Sequence, residues 1–440
     1  MKKFALPGLI TLIILGYVFY LSLAKQLSYY STHVACGNYY LSKRPLNSII
    51  EKEANTKPFN VEWLDALFLK LLSYSVNEDN KTLSSSFGSV KTTMKYYPNY
   101  GCSTDLNKNL SNTNIKITSL HPIAIDKNIQ YLIDNEFVND SGHRALIVMH
   151  QNNIVGQQFD QYTSNNTPLL SWSMTKSLTS LLFGRMMLEG FIELNDQVFP
   201  GSDDPKRNSL TYRHLLNHTD GLDYQEAYYP FTDFFKMFIS PNVGKHISNL
   251  DFKYQPGNHW AYSSAATNLL AYKLSEIGNA LGFSMQELLQ SFLFDELGIY
   301  DAVIGKDQNG NMIASSLGFI SPTAWLSVGK LMKNNGSYNG KQIIDKDFIS
   351  FMRSPVELNN GSKILNYGGQ WWLNTKDPTL SPQLHTIDYE IYSANGFQGQ
   401  RLMIIPALDL IIVRLGLTEG RTEWINEGTF ISSLISNYAN

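Results

Sequence analysis

Ser173, Met174, Thr175 and Lys176 form a Ser-x-x-Lys element where an apolar, helix-patterned run begins. On a helix, residues three apart share one face with β-carbons roughly 5–6 Å apart, so the Lys176 amine can reach the Ser173 hydroxyl. A neutral amine in that place can take the hydroxyl proton and make the serine a nucleophile for acyl transfer. In a first helical turn the Ser173 N–H has no helical partner and lies at the positive end of the dipole, where it can donate to a developing oxyanion. The spacing alone is not selective. Ser22 and Lys25, and Ser327 and Lys330, repeat it; both read as coincidences, the first ending an apolar segment and the second on the face of a later helix. The candidate third member is Tyr262, which follows the chain break at Pro256-Gly257. A neighbouring ammonium favours phenolate below the usual pKa of about 10, so Tyr262 could carry a proton from the serine to a leaving group.

These side chains need a scaffold, and the hydrophobic pattern outlines one. Ala145 to His150 and Ile154 to Phe159 read as strands about a Gln151-Asn152-Asn153 turn, and Arg401 to Ile405 and Leu410 to Leu415 repeat this about Pro406 to Asp409. Strands at both ends with helices between them predict an α/β (α+β) fold. One antiparallel sheet is built from both ends of the catalytic domain and flanked by helices, with a largely helical inserted subdomain. The start of the Ser173 helix then falls at a junction, where ligand clefts are common.

Four stretches carry a family resemblance: Ser173 to Ser177, Leu215-Leu216-Asn217-His218-Thr219-Asp220-Gly221-Leu222, Pro256-Gly257 ahead of Tyr262-Ser263-Ser264, and Gly396-Phe397-Gln398-Gly399-Gln400. Together, over about residues 120 to 440, they resemble the serine hydrolases related to class C β-lactamases and penicillin-binding proteins. The branch they look most like is that of 6-aminohexanoate-dimer hydrolases and related esterases. The resemblance implies Ser173 as the acylated nucleophile, Lys176 as general base and Tyr262 as proton relay. It also implies an oxyanion hole from the backbone N–H groups of Ser173 and Phe397, where losing one donor typically costs about 3–4 kcal/mol. Two departures bear on specificity. The β-lactamase Tyr-x-Asn pattern is Tyr262-Ser263-Ser264 here, and the Lys-Thr-Gly or His-x-Gly element that grips a substrate carboxylate is replaced by Gly396 to Gln400. Without a cation there, the carboxylate of a β-lactam has no obvious partner.

The expected activity is thus hydrolysis of an ester, amide or peptide-like small molecule through an acyl-enzyme, with Ser264 and Tyr224 as candidate substrate-binding residues. Aromatic residues at Tyr228, Tyr229, Phe231, Phe234 and Phe235, and Trp371 with Trp372, are candidates for a lid or lining. The alternatives are a non-catalytic envelope binding module of the same fold, or a D,D-peptidase or β-lactamase. No cofactor and no metal is expected; His214 and His218 are four residues apart without a third ligand at a recognised spacing. A formal charge of −3 and a pI near 6.3 argue against nucleic acid as a partner.

The N-terminus points out of the cytoplasm. Lys2 and Lys3 precede an uncharged stretch from Phe4 to Ala24, which as a helix extends about 31 Å and can cross a bilayer. Ser22-Leu23-Ala24 also fits a small-x-small cleavage site, so residues 1–24 read as a signal peptide or a retained membrane anchor, with the rest exported to the periplasm or held outside the membrane. The length of the apolar run favours the anchor. Residues 25–118 read as an N-terminal extension and 119–440 as the hydrolase domain. The two cysteines, Cys36 and Cys102, are either bridged in an oxidising compartment or both free and buried.

Overall fold

In a computed structural model of the chain, residues 5–53, 65, 70–104, 118–139, 142–418 and 423–438 are described. The two N-terminal lysines lie outside them.

The chain opens with one uninterrupted helix, α1 (Ala5–Tyr40), long and apolar enough to cross a membrane by length and composition. Its two ends differ. Leu12, Ile13, Ile14, Leu15, Val18 and Phe19 are exposed, whereas Ala24, Leu27, Tyr30, Val34, Ala35 and Cys36 are buried in the protein. The helix therefore passes straight through the expected boundary after Ala24 and becomes a structural part of the body. Against it packs a four-stranded antiparallel sheet of β1 (Leu72–Asn77), β2 (Thr82–Phe87), β3 (Val90–Tyr97) and β4 (Gly101–Ser103). The contact mixes apolar and polar groups: Leu83, Phe87 and Met94 share a core with Leu27 and Val34 of α1, while Ser28 and Thr92 share a 2.7 Å hydrogen bond, and Thr32 and Ser85 one of 2.6 Å. Ser85 and Thr92 interrupt the apolar alternation of these strands, which is why the extension reads as featureless in sequence. Cys36 and Cys102 form a disulfide that fastens α1 to β4.

The main sheet has six antiparallel strands, β5 (His143–His150), β6 (Asn153–Phe159), β7 (Trp372–Leu373), β8 (Tyr392–Gly396), β9 (Gln400–Ile405) and β10 (Leu410–Gly416), in the order β7-β8-β9-β10-β5-β6. The early and late strands join at β10 and β5, with Ile412 opposite Val148. This is the sheet from both ends that the sequence pattern implies. Both of its faces are covered, so β9 and β10 are buried along their whole length. Alternation sorts their side chains into two cores. Leu146, Val148, Met403 and Ile412 meet Ile129 and Ile133 of α2 (Lys127–Asn139) and Leu434 of α6 (Glu427–Ser436). Ala145, Ile147, Ile404 and Ile411 belong to the larger core, which includes α3 (Met174–Leu188), α4 (Ser264–Ala280) and α5 (Pro322–Lys333). Every residue of α3 from Met174 to Met186 is buried. A helix enclosed on all sides is a stiff support for whatever stands at its N-terminus.

Candidate active site

Ser173 is the N-cap of α3, yet its hydroxyl makes no capping bond; it is left to face the lysine one turn on. The residue before it, Trp172, holds φ at +48°, a left-handed conformation that bulky residues rarely adopt. Its neighbours hold it there. The Trp172 carbonyl accepts from Thr175 Oγ1 at 2.7 Å, the indole N–H donates to Gln398 Oε1 at 2.9 Å, and the Ser171 N–H donates to the Gly318 carbonyl at 2.7 Å. Ser173 itself lines a cavity of about 1030 Å³.

Lys176 lies behind it, 1% exposed. Its ammonium donates to Ser173 Oγ at 3.2 Å, Ser264 Oγ at 3.1 Å and the Ser315 carbonyl at 2.8 Å, one acceptor for each of its three hydrogens. Burial pushes its pKa down to about 8, against an upward pull from the Glu226 carboxylate. The charge that acts on Lys176 is thus an anion, which opposes the effect of burial. Tyr262 completes the group. Its phenol is close enough to the Ser173 side chain for that group to act on its pKa, and its ring lies 4.9 Å from Lys176 Nζ, in cation–π range. Burial raises the phenol's pKa more than Ser173 lowers it, so at neutral pH the residue carries its proton.

Aromatic packing fixes Tyr262: His218 stacks on it at 5.1 Å and Trp372 lies at 5.5 Å. His218 is no ligand. Its Nδ1 accepts from the Ser263 N–H at 2.6 Å, which leaves Nε2 to carry the hydrogen shared with the Tyr367 hydroxyl at 3.2 Å. Burial, aided by the Lys176 charge, pushes its pKa down to about 3, so it stays neutral. Among the described residues no group of three or more His, Cys, Asp or Glu side chains is arranged to hold a metal ion.

A residue that sequence reasoning missed joins the group. Glu226 lines the cavity and binds the start of α4: Oε2 accepts from the Ser264 N–H at 2.6 Å, and Oε1 from Ser264 Oγ at 2.6 Å and the Tyr228 hydroxyl at 2.8 Å. A carboxylate there meets a free first-turn N–H and the positive end of the helix dipole. Ser263, not Ser264, caps α4 through the Ala266 N–H, so Ser264 is free to link Glu226 to Lys176. Nothing local marks Glu226; it lies 38 residues from its partner, in a loop whose only visible signal is its aromatic content.

On the opposite wall, Gly396 brings β8 against the turn before Ser173; a Cβ there would sit 2.3 Å from the Ser171 carbonyl oxygen. This places Phe397 across the cavity from Ser173, with its ring 5.8 Å from that of Trp172. Among the described residues neither the Ser173 nor the Phe397 N–H donates a hydrogen bond to the protein. The candidate residues Ser173, Tyr262, Ser264 and Phe397 all line one cavity with Lys176 beneath it. Tyr224 does not; it lies behind Glu226, which together with burial holds its phenol well above the usual range. Trp372 lines the cavity and Trp371 is buried away from it. A cation does stand in the wall, contrary to the sequence reading, but Arg401 is neutralised by a buried ion pair with Glu427. With Glu226, Glu423 and Glu427 lining the cavity, its net charge is acidic.

The Beta-lactamase family profile matches residues 144–423, well over half of the chain. The protein belongs to that family, whose members are serine hydrolases. Penicillin-binding protein 4* of Bacillus subtilis (strain 168) is 25% identical over 275 residues, covering 54% of this chain and 57% of its own length. Monacolin J acid methylbutanoyltransferase of Aspergillus terreus is 28% identical over 178 residues, 34% of this chain and 41% of its own. The chain thus spans less than two thirds of the length of these curated relatives. Among solved structures, one named as a 6-aminohexanoate-dimer hydrolase from Bacillus anthracis matches with a TM-score of 0.57 at 18% identity, over 74% of this chain and 88% of that one. A class C β-lactamase mutant matches with a TM-score of 0.51 at 13% identity, over 70% and 96%. At such identities these two speak for the shared fold alone.

Proposed function

We propose that the protein cleaves an ester or amide bond through an acyl-enzyme on Ser173. The observation that carries this reading is the convergence of the Ser173 hydroxyl, the Lys176 amine and the Tyr262 phenol at one cavity. Neutral Lys176 takes the Ser173 proton as Oγ attacks the carbonyl carbon, and the oxyanion forms between the N–H groups of Ser173 and Phe397. Tyr262 gives a proton to the departing alcohol or amine and takes back the one that Lys176 drew from Ser173. Water then attacks the acyl-enzyme, which releases the acid and restores Ser173. Ser264 holds Lys176 in place.

The acidic lining favours a neutral or cationic substrate over the anionic carboxylate of a β-lactam. This supports the esterase and amidase reading over a β-lactamase or D,D-peptidase. The apolar stretch of α1 supports a membrane anchor, and the Cys36–Cys102 bridge supports a catalytic body outside the cytoplasm. Incubation with a fluorophosphonate probe and peptide mapping tests the chemistry. The expected adduct is on Ser173 and is absent from Ser173→Ala; labelling elsewhere, or none on folded protein, refutes the proposal.

A further inference from the structure

The lipid-facing part of α1 ends where the body of the protein first touches it, and that happens from two sides at one level. On one side Tyr20 donates its hydroxyl to the Phe87 carbonyl at 3.2 Å and accepts from the Ser89 N–H at 3.3 Å, at the β2–β3 turn. On the other, Phe231 stacks on Phe19 at 4.8 Å and its N–H donates to Gln26 Oε1 at 2.8 Å. Tyr17 at 58%, Tyr228 at 51% and Tyr229 at 53% are exposed around this rim. Exposed aromatic side chains at the end of an apolar span are the composition of a membrane interface.

The same two elements continue into the cavity. Tyr30, ten residues beyond Tyr20 on α1 and so about 15 Å along its axis, lines the wall and stacks on Trp172 at 6.3 Å. Tyr228, in the loop that reaches Phe231, lines it too and hydrogen-bonds Glu226. Apolar surface therefore runs from the rim over Tyr228 to Phe234, Phe235 and the face of Trp172 beside Ser173. A water-filled pocket for a small polar substrate has no need of such a path.

We infer that the cavity draws its substrate from the adjoining bilayer leaflet: an amphiphile with a neutral or cationic head whose acyl chain is joined by an ester or amide bond. This rests on the hydrolase and anchor readings above. The acyl carbon leaves the alcohol or amine for Ser173 Oγ, the leaving group takes a proton, and water frees the fatty acid.

The test uses the full chain reconstituted in phosphatidylcholine vesicles, with p-nitrophenyl palmitate in the bilayer and p-nitrophenyl acetate in solution as probes. The embedded ester is expected to turn over roughly tenfold or more faster than the same ester presented to detergent-solubilised protein, because the bilayer concentrates long chains beside the rim. Tyr229→Asp is expected to lose most of that gain and to keep the acetate rate. A second readout is Tyr229→Cys carrying an environment-sensitive dye, whose emission should shift blue on reconstitution. Ser173-dependent acetate hydrolysis without the vesicle gain, or a dye that stays in water, overturns the inference and leaves the hydrolase reading intact. Absence of Ser173-dependent hydrolysis with both esters overturns both.

Discussion

With Lys176 as the proposed base, the Glu226 carboxylate should raise the pH at which activity appears, and Glu226→Gln should move that pH downwards. Catalysis needs neutral Lys176, so with a pKa of about 8 only about one molecule in ten is competent at pH 7. The rate constant kcat/KM should then rise about tenfold per pH unit below that value and level off above it. The carboxylate acts on the amine through Ser264, whose Oγ is 3.1 Å from Lys176 Nζ and 2.6 Å from Glu226 Oε1. Charges about 6 Å apart at an effective dielectric of about 20 interact by about 3 kcal/mol, or about two pH units. The anion favours the ammonium form, so the amide should lower the Lys176 pKa and shift the rising limb of the profile by about one to two units towards acid. The plateau can also fall, since the bonds to Ser264 change, but the midpoint is read independently of the height. The assay is p-nitrophenyl acetate hydrolysis from pH 5 to 10 for both proteins. A midpoint that stays put, or moves towards alkali, refutes the assignment of Lys176 as the base and of Glu226 as the charge that tunes it.

Tyr262→Phe should keep the fold, because His218 and Trp372 pack on the ring and not on the hydroxyl; kcat should fall by about 10²–10⁴-fold, as read by steady-state kinetics with circular dichroism as control. Replacing Cys36 and Cys102 together by serine reopens a loop with a sequence separation of 66 and should lower stability by about 4 kcal/mol, visible as an earlier urea midpoint. Lys176→Met should remove a pH dependence of stability. Wild-type Lys176 has a depressed folded-state pKa, so the unfolded chain holds more protons between about pH 8 and 10.5, and stability rises through that window by about 3 kcal/mol. The variant should show a flatter slope there in urea titrations at successive pH values.

The site was legible in sequence where helical geometry alone does the positioning. Ser173 and Lys176 share a face one turn apart, and no tertiary fact is needed to bring them within reach. The main sheet was legible for a similar reason, since β5, β6, β9 and β10 are strongly apolar runs with turns between them. Tyr262 was found through the resemblance, because nothing in its own spacing distinguishes it among 25 tyrosines. Glu226 and the Arg401–Glu427 pair were missed because both depend on contacts between distant segments, with no periodicity to betray them. Tyr224 looked attractive beside the turn at Gly221, but the chain folds its ring behind the carboxylate two residues on. The small sheet of β1 to β4 escaped notice because Ser85 and Thr92 interrupt the apolar alternation of the face it turns to α1.

The way α1 is divided between lipid and protein bears on how the enzyme could be released. Burial begins at Ala24, the residue that ends the small-x-small motif. A peptidase cutting there would remove the exposed turns together with the rim contacts of Phe19 and Tyr20, and spare the turns that carry Tyr30 and Cys36. The new terminus at Lys25 would be pinned by the cystine at Cys36. Shedding would therefore yield a detached catalyst with its pocket whole, and with its preference for bilayer substrates weakened by distance alone.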